Sequence, residues 1–444
     1  MLRQLTEMMT NNEIIKQALS KAGIETLNEM QQAALSAGTA KDMILLSPTG
    51  SGKTLAFLLP LLDILKSGER KTQVLIIAPS RELALQIEAV FRSLGTGHKI
   101  NCCYGGHPMR TEKKSLEHSP TVLIGTPGRI LDHIKRGHIM PDTIHTLILD
   151  EFDKSLELGF TEEMEDILTQ LPSVRRKVLT SATSAIEIPS YVKIKSPVRL
   201  SFLSDEKTLK GLTIHVVKSP AADKLDTLYR LLGELQSESA LVFCNFREAA
   251  ERISDYLTEQ NVSNECFHGG MEQQERERSL SKFRNGSASV FISTDLASRG
   301  LDIPEVKHII HYHTPVNEEA YIHRNGRTAR MNAEGDVYII LNDKEFLPEY
   351  IKPEPKEFFL PKAVKTPISS EWTTLMINKG RRDKISKGDI AGFLLQKGGL
   401  TKDELGIIEV KENCSYAAVK RAQYKVLLSR IKDEKIKKMS VRFS

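Results

Sequence analysis

The chain has 444 residues, of which 40% are hydrophobic, so it is too long for one ordinary core and fits two large domains plus a small one. It contains no apolar run of the roughly 18 residues that a membrane span needs, and its N-terminus lacks the layout of a signal peptide, so we expect a soluble cytoplasmic protein without a membrane partner. The five cysteines include no CxxC pair, which argues against a zinc site or a disulfide framework.

Charge is unevenly distributed along the chain. Residues 371–444 carry 17 Lys+Arg against 9 Asp+Glu, a net charge of +8, whereas the whole chain has a net charge of only +5. Lysine and arginine bind polyanions by displacing counterions from phosphates, so this segment is a candidate module for nucleic acid. On composition alone, a solvated helix surface explains the same charges equally well.

Short apolar strands alternate with amphipathic helices twice along the chain, which predicts two parallel α/β sheets. The predicted strands cover residues 74–78, 121–125, 146–149 and 177–180, and then 240–244, 289–293 and 306–311. Five prolines between 348 and 367 predict a stiff connector rather than a helix or strand. The predicted domains are therefore 1–205, 206–347 and 370–444, with a linker over 348–369.

The stretch Ser47-Pro-Thr-Gly-Ser-Gly-Lys-Thr54 lies between a buried strand and a buried helix, as a phosphate-binding loop does. Its glycines allow backbone N–H groups to face phosphate oxygens, while Lys53 supplies charge and Thr54 a hydroxyl ligand for magnesium. The first glycine of the usual pattern is replaced by Ser47. The candidate nucleotide-binding residues in this loop are Thr49, Gly50, Ser51, Gly52, Lys53 and Thr54.

A second acidic motif follows the predicted strand 146–149. Asp150 can hold magnesium, partly through water, and Glu151 can orient and deprotonate the attacking water. The alternative is that these acids only cap the following helix. Because the lysine loop lies about a hundred residues upstream, the pair predicts hydrolysis of a nucleoside triphosphate with Mg²⁺ as a cofactor.

Motifs in a fixed order then identify a family resemblance. The sequence Asp150-Glu-Phe-Asp153 is similar to the DEAD sequence of the DEAD-box ATP-dependent RNA helicases. Other matching segments are Pro79–Gln86, Gly105-Gly106, Thr126–Arg129, Ser181–Thr183, Leu241–Asn245, Gln273–Arg276, Ser293–Asp302 and His323–Arg330. The resemblance implies two tandem RecA-like domains followed by a small α+β domain.

The resemblance also implies roles for single residues, and the remaining candidates follow from it. Arg327 and Arg330 resemble arginine fingers. Gln31 and Asp302 resemble nucleotide-binding residues of the family. RNA contacts are assigned to Arg81, Gly106, Thr126, Arg129, Arg276, Thr294 and Arg299. Coupling between the motifs is assigned to Asp153, Ser181, Thr183 and His323. Phosphate contacts of this kind hold a strand without reading its bases.

Two further segments depart from the family pattern. Leu27-Asn28 and Glu29 replace prolines and threonine around Gln31, which leaves adenine selectivity less secure than triphosphate hydrolysis. Phe152 replaces the alanine of the DEAD sequence. Its ring is either accommodated beside Ser181 and Thr183 or slows turnover, because an additional ring in a closely packed site displaces its neighbours.

The basic C-terminal segment reads as β-α-β-β-α-β, an RRM-like plan. Its glycines and order resemble the RNA-binding domain of DbpA-type DEAD-box proteins, which implies binding to structured, possibly ribosomal, RNA. The strands lack the aromatic pairs that stack on bases, and Tyr416 is expected to be a packing residue. Phosphate contacts are instead expected from Lys384, Lys387, Arg421, Lys425 and Arg430.

The function predicted from these features is an RNA-dependent ATPase, expected to be a monomer, that separates short RNA duplexes by closing two domains, with ribosome assembly as its setting. One alternative is an RNA-binding clamp or chaperone with weak ATPase activity, and another is a DNA helicase. The intact Lys53, Thr54, Glu151, Arg327 and Arg330 argue against a dead enzyme.

Overall fold

The computed structural model describes residues 13–48, 50–183, 187–203, 211–220, 222–295, 303, 306–328 and 335–444, and these residues divide into two compact units. The first unit ends at residue 203 in this description. Its strands are β1 (Met43–Leu46), β2 (Val74–Ile77), β3 (Ile100–Cys103), β4 (Val122–Gly125), β5 (Thr146–Leu149), β6 (Arg176–Ser181) and β7 (Val198–Ser201). Its helices are α1 (described over 13–21), α2 (Glu29–Ala37), α3 (Lys53–Leu61), α4 (Arg81–Ser93), α5 (Met109–Leu116), α6 (Pro127–Lys135), α7 (Phe152–Glu157) and α8 (Thr161–Thr169).

The first unit is built on a seven-stranded parallel sheet in the order β3-β4-β2-β5-β6-β1-β7. Strands such as β1 are apolar throughout because helices cover both faces of the sheet. Alternate residues of β1 therefore enter opposite cores: Met43 and Leu45 pack in one cluster, Ile44 and Leu46 in the other. The carboxyl ends of β1, β2, β4, β5 and β6 lie along one edge, where the predicted motifs begin.

The second unit contains another seven-stranded parallel sheet, in the order β10-β11-β9-β12-β13-β8-β14. Its strands are β8 (Leu212–Ser219), β9 (Ala240–Phe243), β10 (Asn264–Phe267), β11 (Val290–Ser293), β12 (His308–His311), β13 (Gly335–Asn342) and β14 (Lys356–Glu357). Its helices are α9 (Leu225–Leu235), α10 (Arg247–Glu259), α11 (Gln273–Arg284) and α12 (Glu318–Asn325).

The C-terminal module belongs to the same compact unit as this second sheet. Its elements are β15 (Trp372–Ile377), α13 (Lys387–Gln396), β16 (Leu405–Val410), β17 (Ser415–Lys420), α14 (Tyr424–Ile431), β18 (Lys435–Ile436) and β19 (Met439–Ser440). Strands β15, β17 and β16 form an antiparallel sheet in that order. Leu375, Ala417 and Val419 point from it into a core with α13 and α14.

The opposite face of the module's sheet packs on the domain that contains the second seven-stranded sheet. Glu409 accepts a hydrogen bond from Ser281 Oγ at 3.0 Å, and its other oxygen lies 3.9 Å from Arg284 Nη1. Thr374 Oγ1 donates to Ser287 Oγ at 2.8 Å, and Asn285 Nδ2 donates to Thr374 Oγ1 at 2.9 Å. The face that carries bases in a base-stacking RRM is thus occupied by protein.

The predicted architecture of two parallel sheets and a small α+β module is confirmed, with two differences in detail. The proline-rich connector contains the short strand β14, which pairs with β8. The closing strand predicted over 438–443 is mostly irregular: Met439–Ser440 pair with β18, and Phe443 forms one isolated bridge to Ile377. Within the described residues, no helix has the length and apolar character that crossing a bilayer requires.

Candidate nucleotide and RNA sites

The phosphate-binding loop connects β1 to α3 at the carboxyl edge of the first sheet. Gly50 and Gly52 have φ values of 81° and 90°, which L side chains rarely adopt, so the loop needs glycine at both positions. The loop is held by a hydrogen bond of 2.7 Å from Ser47 Oγ to Ser51 Oγ. Ser47 therefore supports the loop through its side chain, a role that glycine does not offer.

Lys53 begins α3 and is buried, with its Nζ donating to the backbone oxygen of Ser47 at 2.6 Å. This contact holds the ammonium group inside the loop. Thr54 follows at the second position of the helix and is half-buried. The helix N-terminus adds unpaired N–H groups and the positive end of the helix dipole, which favour a bound phosphate.

Helix α2 packs directly against this loop. Asn28 and Gln31 form a reciprocal capping box, with bonds of 2.9 and 3.0 Å, and Asn28 Nδ2 donates to the Ser51 oxygen at 2.9 Å. Gln31 Nε2 lies 3.4 Å from the oxygen of Gly52, and a Cβ at Gly52 would fall 2.5 Å from that nitrogen. The predicted glutamine is thus placed at the loop, and the unusual Asn28 supplies its cap.

The acidic motif follows β5 at the same edge. Asp150 is 2% exposed, and burial raises the pKa of its carboxyl group, while a hydrogen bond from Thr180 and the charge of Lys53 act in the opposite direction. Thr180 also accepts a hydrogen bond of 3.0 Å from the backbone N–H of Glu151, whose φ of 46° lies in the left-handed region. Thr180 was not among the predicted residues.

The third acidic residue of the motif, Asp153, connects α7 to the end of β6. Its Oδ2 accepts bonds from Ser181 Oγ at 2.9 Å and from the Ala182 N–H at 3.2 Å. Ser181 Oγ in turn accepts from the N–H of Thr183 at 2.9 Å. The residues that the resemblance assigned to coupling in this unit therefore form one hydrogen-bonded cluster.

Phe152 is buried in the hydrophobic core, where it lines a small cavity together with Thr180 and Ser181. It is 1% exposed and packs with Ile44, Leu46 and Leu179 behind the acidic residues. The ring is therefore accommodated in the core beside Ser181.

The predicted RNA residues of the first unit also meet at the carboxyl edge of the sheet. The guanidinium of Arg81 lies against Gly105 and Gly106, so closely that a Cβ at Gly106 would be 2.3 Å from Arg81 Nη1. Thr126 precedes α6, and Arg129 in the first turn of that helix donates to the backbone oxygen of His107 at 2.8 Å. The structure thus brings together two arginines, a glycine pair and a helix N-terminus.

Glu112, which was not among the predicted residues, organises this region from α5. Its carboxylate receives the N–H of Tyr104 at 2.8 Å and contacts His107 Nε2 at 2.9 Å, His133 Nε2 at 2.7 Å and Arg129 Nε at 3.4 Å. Burial raises its pKa, but the hydrogen bonds from His107 and His133 prevail and lower the pKa to about 2. Glu112 is thus a buried anion that orients Arg129.

In the second unit, Arg276 lies in the first turns of α11 and is buried, with its guanidinium 5.3 Å from the centre of the Phe267 ring. Thr294 follows β11, and its backbone oxygen accepts from Ser293 Oγ at 3.0 Å. His323 on α12 is buried beside Glu319, at 3.4 Å. These residues sit on separate elements around the carboxyl edge of the second sheet.

Arg324, which was not predicted as a site residue, joins three motifs of the second unit. It is fully buried and donates to Asp295 Oδ1 at 2.6 Å, to Asn245 Oδ1 at 2.7 Å and to the His313 oxygen at 3.0 Å. Arg327, a predicted arginine finger, is buried at 1% exposure just after α12. Four predicted residues, Thr49, Arg299, Asp302 and Arg330, lie outside the described residues.

The predicted phosphate contacts of the module are exposed on its surface. Lys384 and Lys387 lie before and at the start of α13, and Lys425 lies on α14. Arg421 donates to the backbone oxygens of Ser370 and Trp372, and Arg430 to that of Gly398 at 3.2 Å. Tyr416 is 3% exposed, so it is a packing residue, more completely buried than expected.

Comparisons with known proteins agree with this geometry. Residues 28–189 match the model of the DEAD/DEAH box helicase family, residues 223–332 the helicase conserved C-terminal domain, and residues 374–444 the DbpA RNA binding domain. The ATP-dependent RNA helicase DbpA of Escherichia coli (strain K12) is 34% identical over 416 residues, 91% of each chain. The protein of the same name from Bacillus subtilis (strain 168) is 30% identical over 95% of each chain.

Solved structures give the same assignment. Dbp5 of S. cerevisiae, bound to RNA and ADP BeF3, is 28% identical with a TM-score of 0.68, covering 74% of this chain and 88% of Dbp5. Mss116p bound to ssRNA and AMP-PNP is 24% identical with a TM-score of 0.66, covering 74% and 72% of the two chains, and supports the fold alone. The chain therefore belongs to the DEAD-box ATP-dependent RNA helicases, and its relatives place it with the DbpA type.

Proposed function

We propose that this protein hydrolyses ATP at the carboxyl edge of the first sheet and uses the ATP cycle to close its two units on RNA and separate short duplexes. The observation that carries the proposal is the cluster of buried Lys53, Asp150 and Thr180 behind the glycine loop. A loop of N–H groups with a fixed ammonium binds phosphates, and a neighbouring carboxylate pair serves the attacking water.

The residues at this edge fit a magnesium ion, because the Thr54 hydroxyl and the Asp150 carboxylate are oxygen donors of the kind that Mg²⁺ prefers. When bound, the ion neutralises charge on the phosphate oxygens. Lys53 holds phosphate charge from the loop side. Glu151 accepts a proton from the attacking water, with its backbone fixed by the 3.0 Å bond to Thr180. Gln31 and Asp302 would contact the nucleotide.

Arg327 and Arg330 are proposed to stabilise charge on the transferred phosphoryl group when the second unit approaches the first. ATP and RNA would then favour the same closed state, so each would tighten the binding of the other. Asp153, Ser181, Thr183 and His323 would transmit closure between the motifs. RNA would be held through its backbone by Arg81, Gly106, Thr126, Arg129, Arg276, Thr294 and Arg299.

The basic module is proposed to address the enzyme to structured ribosomal RNA during ribosome assembly in the cytoplasm. The support comes from its net charge, its exposed lysines and arginines, and the occupied face of its sheet. With that face covered, phosphates must be met by the helices and loops. We propose that the protein acts as a monomer, because one chain carries the matches to both helicase domains and to the RNA binding domain.

The test is steady-state ATPase activity of the full chain and of a truncation after Lys365, with no nucleic acid, single-stranded DNA, generic RNA or ribosomal RNA. Strong stimulation by ribosomal RNA that falls to the generic-RNA level on truncation supports the proposal. Equal stimulation by all RNAs would mean that the module does not direct the enzyme to ribosomal RNA. RNA binding without turnover under any condition would instead establish a clamp.

A further inference from the structure

Phe246 is a large apolar side chain that the fold leaves 63% exposed. It follows β9 directly and is the residue before the first turn of α10. Its backbone is extended, with φ of −125° and ψ of 147°, and places the ring at the carboxyl edge of the second sheet. No coupling or catalytic role described above uses it.

The ring lies among groups that suit a nucleic acid. Strand β9 stands between β11, which ends at Ser293 before Thr294, and β12, which precedes His313. The next side chain, Arg247, packs against Gly269 and Gly270 after β10, with Nη2 3.5 Å from the position of a Cβ on Gly269. The exposed ring of Phe246 is thus followed in the chain by an arginine that packs on two glycines.

The contacts that hold Phe246 leave one part of the ring available. Its only described ring partner, within the residues that the structure covers, is His313, at 5.9 Å between centroids and in an edge-on geometry of 71°. Burial, reinforced by the charge of Lys224, lowers the pKa of His313 to about 4, so this neighbour is neutral at physiological pH. A flat, uncharged and solvent-exposed ring beside a cation is the arrangement on which a base stacks.

We propose that Phe246 stacks on one base of the single-stranded RNA held by the second unit, while Arg247 contacts the adjacent phosphate. This inference rests on the proposed RNA-dependent function and adds to it a contact with a base, where the other predicted contacts are to the backbone. Every base has an aromatic face, so the contact fixes the position of the strand without strong sequence preference. It would strengthen binding most when the base is unpaired.

The test measures binding of the full chain to a short fluorescent single-stranded RNA, in the presence of a non-hydrolysable ATP analogue, by fluorescence anisotropy. Phe246→Ala is expected to raise the Kd roughly tenfold, whereas Phe246→Trp retains wild-type affinity. Phe359→Ala removes another exposed ring, 76% exposed, from the connector and is the matched control with unchanged Kd. Thermal unfolding of each variant checks that the fold is kept.

An abasic substitution, moved one nucleotide at a time along the RNA, isolates the stacking contact. The wild-type protein should lose affinity at one position, and Phe246→Ala should show no loss there. The proposal would be overturned if the abasic substitution lowered the affinity of both proteins equally, or if Phe246→Ala left the Kd unchanged. An unchanged Kd would indicate that this ring contacts a protein partner and not RNA. Absence of RNA-stimulated ATPase activity in the wild-type chain would instead refute the proposed function itself.

Discussion

The hydroxyl of Thr180 on β6 donates to Asp150 Oδ1 across the sheet. Thr180 Oγ1 also accepts a hydrogen bond from the backbone N–H of Glu151 at 3.0 Å. One uncharged side chain thereby fixes both acids of the proposed catalytic pair. Because the bond to Thr180 opposes the effect of burial, it keeps more of Asp150 ionised at a given pH.

Thr180→Val is expected to lower kcat by about tenfold to a hundredfold, since it removes the group that positions the acids while keeping the side-chain volume. Loss of the bond raises the pKa of Asp150 further, so the acidic limb of the kcat profile should move to higher pH. The measurement is RNA-stimulated ATPase activity from pH 5 to 9. Thr146→Val, at the opposite end of β5, is the buried control, and coincident pH profiles would contradict the role of Thr180.

The bond between Ser181 and Asp153 supports a different prediction, because neither group adjoins the reacting atoms. Ser181→Ala leaves a buried carboxylate with one donor fewer, a loss of about 1–3 kcal/mol in local stability. We expect duplex separation per ATP hydrolysed to fall several-fold while ATP turnover falls less. Parallel unwinding and ATPase assays give this ratio, and equal decreases in both rates would show that the bond serves hydrolysis itself.

Glu112 predicts a pH-dependent contribution to stability. Its pKa of about 2 lies below the ordinary value of 4.5, so the carboxylate stabilises the fold fully above about pH 4.5 and loses that effect as the pH falls towards 2. Glu112→Gln is expected to cost about 2 kcal/mol at pH 7, after allowance for solvent screening, and much less at pH 3. Thermal unfolding at both pH values tests this, with the exposed Glu117→Gln as control.

The same variant should weaken RNA binding, because Arg129 loses the anion that orients its guanidinium. We expect a several-fold increase in the RNA concentration that gives half-maximal ATPase stimulation, with little change in KM for ATP. An unchanged RNA requirement would mean that Arg129 is held adequately by the His107 oxygen alone.

Glu409 controls the position of the module on the second sheet's domain. It is half-buried between Ser281, Arg284 and Lys411, so Glu409→Ala leaves two cations without the anion that they share. Trp372, the one tryptophan of the sequence, lies beside Gly286 in this interface. We expect its emission to shift to longer wavelength as the module loosens. Exposed Glu412→Ala is the control, and identical spectra would argue that Glu409 is dispensable for docking.

The sequence predicted those features that depend on local order. Lys53 and Asp150 could be found because each follows a buried strand, and parallel strands bring such positions to one edge. Thr180, Glu112 and Arg324 could not be found in this way. Each acts through partners on other elements, up to 79 residues away, and a threonine in a strand, a glutamate in a basic helix and one arginine among several carry no local signal.

The structure differs from two expectations, and in each case the backbone gives the reason. The closing strand of the module was predicted from its alternating residues, but Lys437 and Lys438 adopt positive φ values, which interrupt an extended strand. The connector was expected to be free of strand structure because of its prolines. Lys356 and Glu357 nevertheless pair with the exposed edge of β8, where two residues between prolines are enough.

The docked sheet of the module has a mechanical consequence. A chain with three independent bodies needs twelve coordinates to describe their relative placement, whereas a module fixed to its neighbour by Glu409 and Thr374 reduces that number to six. RNA bound by the module would then move together with the second sheet. The proline-rich connector would then not be the only link between bound RNA and the second sheet.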